Sequence, residues 1–138
     1  MDAEIESVAV LGAGSMGHGI AEVAAIAGYD VVMRDIEEEL VEEGYDQIEW
    51  SLGKLAEKGQ IDDDPEDVLD RVSTTVDLDA AVADVDLVIE AAPEDLDLKR
   101  SIFADVDAAA GAETIMATNT SSLRVGDIAT ATDRPEYV

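Results

Sequence analysis

The sequence has 138 residues, the size of one domain on the usual scale of about 100–200 residues, and 47% of them are apolar although only 4% are aromatic. Asp and Glu number 34 against 8 Lys and Arg, a formal charge of −26 that would repel nucleic acid and anionic membranes, so neither is expected as a partner. Without cysteine there is no disulfide framework, and with no apolar run near ~20 residues and an acidic N-terminus there is no membrane helix or basic signal region; a cytoplasmic protein without a metal site is expected.

Residues 5–11 (IESVAVL) form a short β-rich run that leads directly into glycines and predict the first strand. A helix follows over 15–27, with Ile20, Val23, Ala24 and Ala27 at helical spacing, and Gly28 falls where a helix ends. Val31, Val32 and Met33 predict a second strand closing at Arg34 and Asp35. The long stretch 36–58 carries Ile36, Leu40, Val41, Ile48, Leu52 and Leu55 as one apolar stripe among glutamates, with Trp50 expected to cap it and Gly59 to end it. Asp62 to Pro65 make a capped turn into a short helix near 66–69. Strands are then predicted at 71–76, 86–91 and 114–118, and helices at 78–83, 94–110 and 123–131. In the helix 94–110 the apolar side holds Leu98, Ile102, Phe103 and Val106.

Strands alternating with helices predict an α/β fold, a doubly wound and mostly parallel sheet with right-handed crossovers and helices on both faces. Residues 1–138 read as one domain, with no internal repeat or low-complexity linker. The acids are spread along the whole chain and fall mainly on predicted solvent faces. That distribution favours adaptation to a high-salt cytoplasm, where screening contracts to about 3 Å at 1 M, over a surface built for cationic partners.

Gly12, Gly14 and Gly17 fit the pattern G-x-G-x-x-G, which is weak alone but here lies between a strand and a helix. An acid, Asp35, closes the next strand at close to the spacing of about 20 residues that a Rossmann dinucleotide fold uses. Gly12 is expected to make the tight turn, Gly14 to let backbone approach a pyrophosphate, and Gly17 to allow close packing of helix and strand. The helix N-terminus, with Ser15 and Met16, would then hold the diphosphate on free amides and the helix dipole. Asp35 is placed to accept the adenosine ribose hydroxyls and to repel a 2′-phosphate, which selects NAD over NADP. The neighbouring Arg34 could pair a phosphate, but reads in preference as a surface charge paired with a nearby Glu. The lone His18 lies in the first turn of the same helix, far from the nicotinamide end of a bound dinucleotide, and carries no catalytic expectation.

The segment VAVLGAGSMGHGIAEVAAIAGYDVVMRD resembles the cofactor loop of the 3-hydroxyacyl-CoA dehydrogenases, above all in Met16-Gly17 followed by Gly19-Ile20-Ala21. Two further blocks carry the same resemblance: Leu87 to Glu94 (LVIEAAPE) followed by Lys99, and Ala117 to Leu123 (ATNTSSL). The resemblance implies NAD as cofactor, an acyl-CoA substrate and the 3-hydroxyacyl-CoA step of fatty acid β-oxidation. It places Glu94 and Lys99 near the nicotinamide ribose and Asn119 beside the nicotinamide, and counts Ala92 among the cofactor-binding residues. It makes Ser121 the catalytic candidate, hydrogen-bonded to the substrate's 3-oxygen, and it assigns Ser51 and Lys58 to the CoA moiety. Each has an ordinary alternative: Ser121 as a helix cap, Lys58 as a C-terminal helix cation, Lys99 in an exposed pair with Asp95. The family's general base is a His in a G-x-H-F-F-N-P segment followed by a helical domain that completes the cleft and the dimer, and neither occurs in these residues. The 138 residues alone are therefore expected to bind NAD(H) without turnover and to need a further domain or partner chain; a stand-alone NAD-sensing module is the alternative.

Overall fold

The computed structural model describes residues 5–62, 64–91, 95–111 and 114–118. The predicted helix at 123–131 and the candidates Ala92, Glu94, Asn119 and Ser121 lie outside them. In chain order the elements are β1 (Ser7–Leu11), α1 (Ser15–Ile26), β2 (Asp30–Arg34), α2 (Glu38–Glu57), α3 (Pro65–Leu69), β3 (Val72–Thr75), α4 (Leu78–Val82), β4 (Leu87–Glu90), α5 (Leu96–Ala109) and β5 (Ile115–Thr118). The strands form one sheet in the order β3-β2-β1-β4-β5, and every adjacent pair is parallel. Consecutive crossovers run outward from β1 in one direction and, from β4 on, in the other. The switch lies between β1 and β4, where the carboxyl ends of open parallel sheets leave a crevice for ligands.

Both sheet faces are covered, which is why β1 reads as an unbroken apolar run. One face buries Val8, Val10, Val31, Met33 and Val72 under Ala21 and Ala25 of α1 and Val41, Ile48 and Leu52 of α2. The other buries Ala9, Leu11, Val88 and Met116 under Ala81 and Val82 of α4 and Phe103 and Val106 of α5. Gly28, at φ +102°, follows the α1 cap residue Ala27 and turns the chain back toward β2.

The acids that end the elements bond to the main chain. Asp64, Asp77 and Asp95 cap α3, α4 and α5 through side-chain oxygens that accept backbone N–H groups. Asp86 accepts the N–H groups of Glu6 and Ser7 at 2.9 and 3.3 Å, which ties the start of β1 to the entry of β4 and holds the Asp86 carboxyl below its ordinary range.

Three local expectations are corrected. The long helix begins at Glu38, and Ile36 is 71% exposed outside it, because the chain must first turn at Asp35. Trp50 faces solvent instead of capping the apolar stripe, with the Lys54 ammonium over its ring at 5.8 Å. Arg34 donates through Nε to the Val76 carbonyl at 3.1 Å, a link to the end of β3 where a pair with Glu was expected.

Candidate nucleotide site

The glycine loop joins β1 to α1 at the carboxyl edge of the sheet. Gly12 adopts φ +118°, a region costly for any residue with a Cβ, and its N–H donates to the Arg34 carbonyl at 2.7 Å. A Cβ on Gly12 would stand 3.0 Å from the Ala91 carbonyl oxygen, so the turn also presses against the chain leaving β4. Gly17 has a tighter duty: a Cβ there would lie 1.7 Å from the Gly12 carbonyl oxygen. The contact that demands Gly17 is thus between α1 and the loop itself rather than between helix and strand. Gly14 differs from both, since a Cβ there meets no atom within 4 Å. The space above Gly14 is open, as a site for an approaching phosphate requires.

Gly14 is the N-cap of α1, and the first turn of this helix carries no acid, although the chain holds 34 of them. The His18 N–H donates to the Gly14 carbonyl at 2.9 Å, and the first amides of a helix have no partner within it. Met16 stands 58% exposed beside them. Backbone dipoles therefore supply positive potential in a first turn that adds no acidic side chain of its own, an arrangement suited to a diphosphate.

Asp35 completes the site from β2. Its Oδ2 accepts the Ala13 N–H at 2.9 Å and its Oδ1 accepts the Ile36 N–H at 2.7 Å. A carboxylate offers about four lone-pair sites, so each oxygen keeps capacity for a ribose hydroxyl while the pair of amide bonds fixes its orientation. These residues fit a dinucleotide. Replacing Asp35 with Ala removes charge-assisted bonds of about 1.5–3 kcal/mol each, so NADH affinity should fall by about 10–100-fold; an NADH titration giving an unchanged affinity would remove Asp35 from the site.

A family model described as "3-hydroxyacyl-CoA dehydrogenase, NAD binding domain" matches residues 7–138. The chain belongs to this family. A Deinococcus radiodurans protein named as a probable 3-hydroxybutyryl-CoA dehydrogenase is 48% identical over 126 residues, which cover 91% of this chain and 45% of that one. A 3-hydroxybutyryl-CoA dehydrogenase of Bradyrhizobium diazoefficiens is 42% identical, covering 99% and 46%. Among solved structures, the (S)-3-hydroxybutyryl-CoA dehydrogenase of Ralstonia eutropha superposes with a TM-score of 0.92 at 36% identity, over 97% of this chain and 47% of that one. The NAD-binding domain thus spans about half the length of the relatives it matches, and NAD is its cofactor.

The structure brings some sequence candidates together and separates others. Gly12, Gly14, Gly17, Met16 and Asp35 share the loop region, with Ser15 opening α1 beside them. Ser51 and Lys58 lie further along α2, seven residues apart and therefore on one helix face. Lys58 is exposed at the helix end.

Lys99 departs from the exposed pair with Asp95. It is fully buried, and its Nζ donates to both Glu90 carboxylate oxygens at 2.8 Å. Asp95 instead caps α5 by accepting the Leu98 N–H. Leu98, counted in the apolar stripe, is 40% exposed, and Lys99 takes the inward position. The pair lies at the carboxyl end of β4, one residue before Ala91, whose N–H donates to the Leu11 carbonyl at 2.9 Å and whose own carbonyl faces Gly12. Sequence reading gave no role to Glu90 or to Gly44, which packs against the loop. The signal for Gly44 was its place in mid-helix, where glycine is unfavourable and calls for a reason; Glu90 was quoted only as part of a motif.

Proposed function

We propose that this chain supplies the cofactor half of an NAD-dependent dehydrogenase that oxidises the 3-hydroxyl of a 3-hydroxyacyl-CoA to the 3-keto product. The reading is carried by one observation: the family match runs through the open Gly14 cradle and the Asp35 carboxylate anchored on Ala13. The dinucleotide, when bound, supplies the hydride acceptor. In this reading the α1 amides hold its diphosphate and Asp35 its adenosine ribose. Glu94 and Asn119 serve the nicotinamide end, Ala92 contacts the cofactor, Lys99 acts through the buried Glu90 carboxylate that it holds, Ser121 orients the substrate's 3-oxygen, and Ser51 and Lys58 meet the CoA. The hydroxyl proton needs a base as the hydride leaves, and we assign that base to a His outside these 138 residues, together with the helical domain that completes the cleft. The substrate favoured is a short-chain ester, by analogy with the relatives named 3-hydroxybutyryl-CoA dehydrogenase.

Among the described residues no helix is long and apolar enough to cross a membrane. We place the protein in a salt-rich cytoplasm, since a charge of −26 is tolerable only where self-repulsion is screened. The test is a titration of the 138-residue chain with NADH, in low and in molar salt, with and without acetoacetyl-CoA. NADH should bind, melting temperature and affinity should rise with salt, acetoacetyl-CoA should bind to the NADH complex, and no turnover should follow. Saturable NADH binding indifferent to acetoacetyl-CoA, together with no downstream frame or partner chain that carries the His segment and the helical domain, would favour a cofactor-sensing module instead. A melting temperature flat across the salt range would end the high-salt assignment.

A further inference from the structure

Two glycines interrupt the 20-residue helix α2, Gly44 and Gly53, and glycine within a helix is unfavourable relative to alanine. Their surroundings differ. A Cβ on Gly53 would meet no atom within 4 Å. A Cβ on Gly44 would stand 2.8 Å from the Ala13 carbonyl oxygen, 3.0 Å from the Ala13 Cβ and 3.0 Å from the Met33 Cε. Ala13 is the residue between Gly12 and Gly14, 4% exposed, and its N–H is the one held by Asp35 Oδ2. The centre of the loop is therefore gripped from two sides, by a carboxylate on its amide and by the bare backbone of α2 on its carbonyl and methyl.

We propose that Gly44 is a positioning residue for the cofactor: its missing side chain lets α2 seat Ala13 and so sets the aim of the amides that open α1. A side chain at Gly44 forces a displacement. The Met33 methyl, at the end of a flexible chain, can yield, but the Ala13 carbonyl is backbone. Helix α2 is held by Val41, Ile48 and Leu52, which are 2%, 0% and 0% exposed in the core beneath it. The backbone that the new carbon meets at 2.8 Å belongs to Ala13, so with α2 held in the core the shift falls on Ala13 and passes to Gly14. Phosphate recognition by several converging amides depends on their direction, and hydrogen bonds weaken steeply as they bend.

The test compares alanine at the two glycines of the same helix by NADH fluorescence titration and thermal melting. Gly44→Ala should raise the NADH Kd at least tenfold. Gly53→Ala should leave the Kd within twofold of wild type, with an equal or higher melting temperature, so helix propensity is controlled. Should Gly44→Ala be too unstable to titrate, the double variant Gly44→Ala with Ala13→Gly takes away the methyl 3.0 Å from the new carbon. It should fold and bind NADH, more weakly than wild type. The proposal is overturned by a Gly44→Ala variant that binds within twofold of wild type, by an equal loss in Gly53→Ala, or by a double variant that recovers neither fold nor binding.

Discussion

Gly17→Ala should abolish measurable NADH binding and destabilise the domain, with a loss in affinity of more than about 100-fold. The new carbon would sit 1.7 Å from the Gly12 carbonyl oxygen, an overlap of backbone atoms that no rotamer relieves. Overpacking a tight core site commonly costs about 1–3 kcal/mol, and here relief can come only by moving Gly12 or lifting the start of α1. Gly12 cannot retreat freely, because it already faces the Ala91 carbonyl and donates to Arg34. Gly14→Ala provides the contrast. Gly14 has a φ of −70° and free space around its would-be side chain, so the variant should melt as wild type does. The added methyl would nevertheless fill the place where a diphosphate must approach, so affinity should fall without loss of fold. Equal effects of the two substitutions on melting temperature would show that the glycines do not have these separate duties.

The second large effect is expected at the buried ion pair. Lys99→Met should destabilise the domain by about 3–5 kcal/mol, because it takes from the fully buried Glu90 carboxylate a cation bonded to both of its oxygens at 2.8 Å. That is a large share of the roughly 5–15 kcal/mol that holds a domain folded. The melting temperature should therefore drop by about 10 °C or more. Replacing both partners, Lys99→Met with Glu90→Leu, should recover much of the loss, since an apolar pair of similar volume carries no desolvation cost. Thermal or denaturant melting of the three proteins decides it. A single variant within about 1 kcal/mol of wild type would mean that Glu90 finds other partners of equal strength.

The parts of this fold that could be read in advance are those governed by local pattern. The run Ser7–Leu11 into glycines, the helix after it and the acid closing β2 are each set by neighbours in sequence, and Asp35 bonds to Ala13 of that same loop. What escaped depends on partners distant in the chain. Lys99 follows Leu98 directly, and hydropathy assigns the inward position to the leucine; the Glu90 carboxylate at the end of β4, which hydropathy does not register, helps make a buried lysine tolerable. Gly44 reads as a defect until α2 is seen resting on Ala13, 31 positions earlier in the chain. Trp50 reads as the cap of the apolar stripe, yet its place on α2 faces water and a lysine.

The aspartates at 35, 64, 77, 86 and 95 all take peptide N–H groups as partners. A chain so poor in basic residues can thus seat anions at its structural joints without spending cations on them. Electrolyte and acid would then act on different carboxylates: dissolved ions quiet the repulsion among those on the outer faces, whereas Asp86, held below its ordinary range by the Glu6 and Ser7 amides, lets go of the start of β1 only when pH falls through that lowered range.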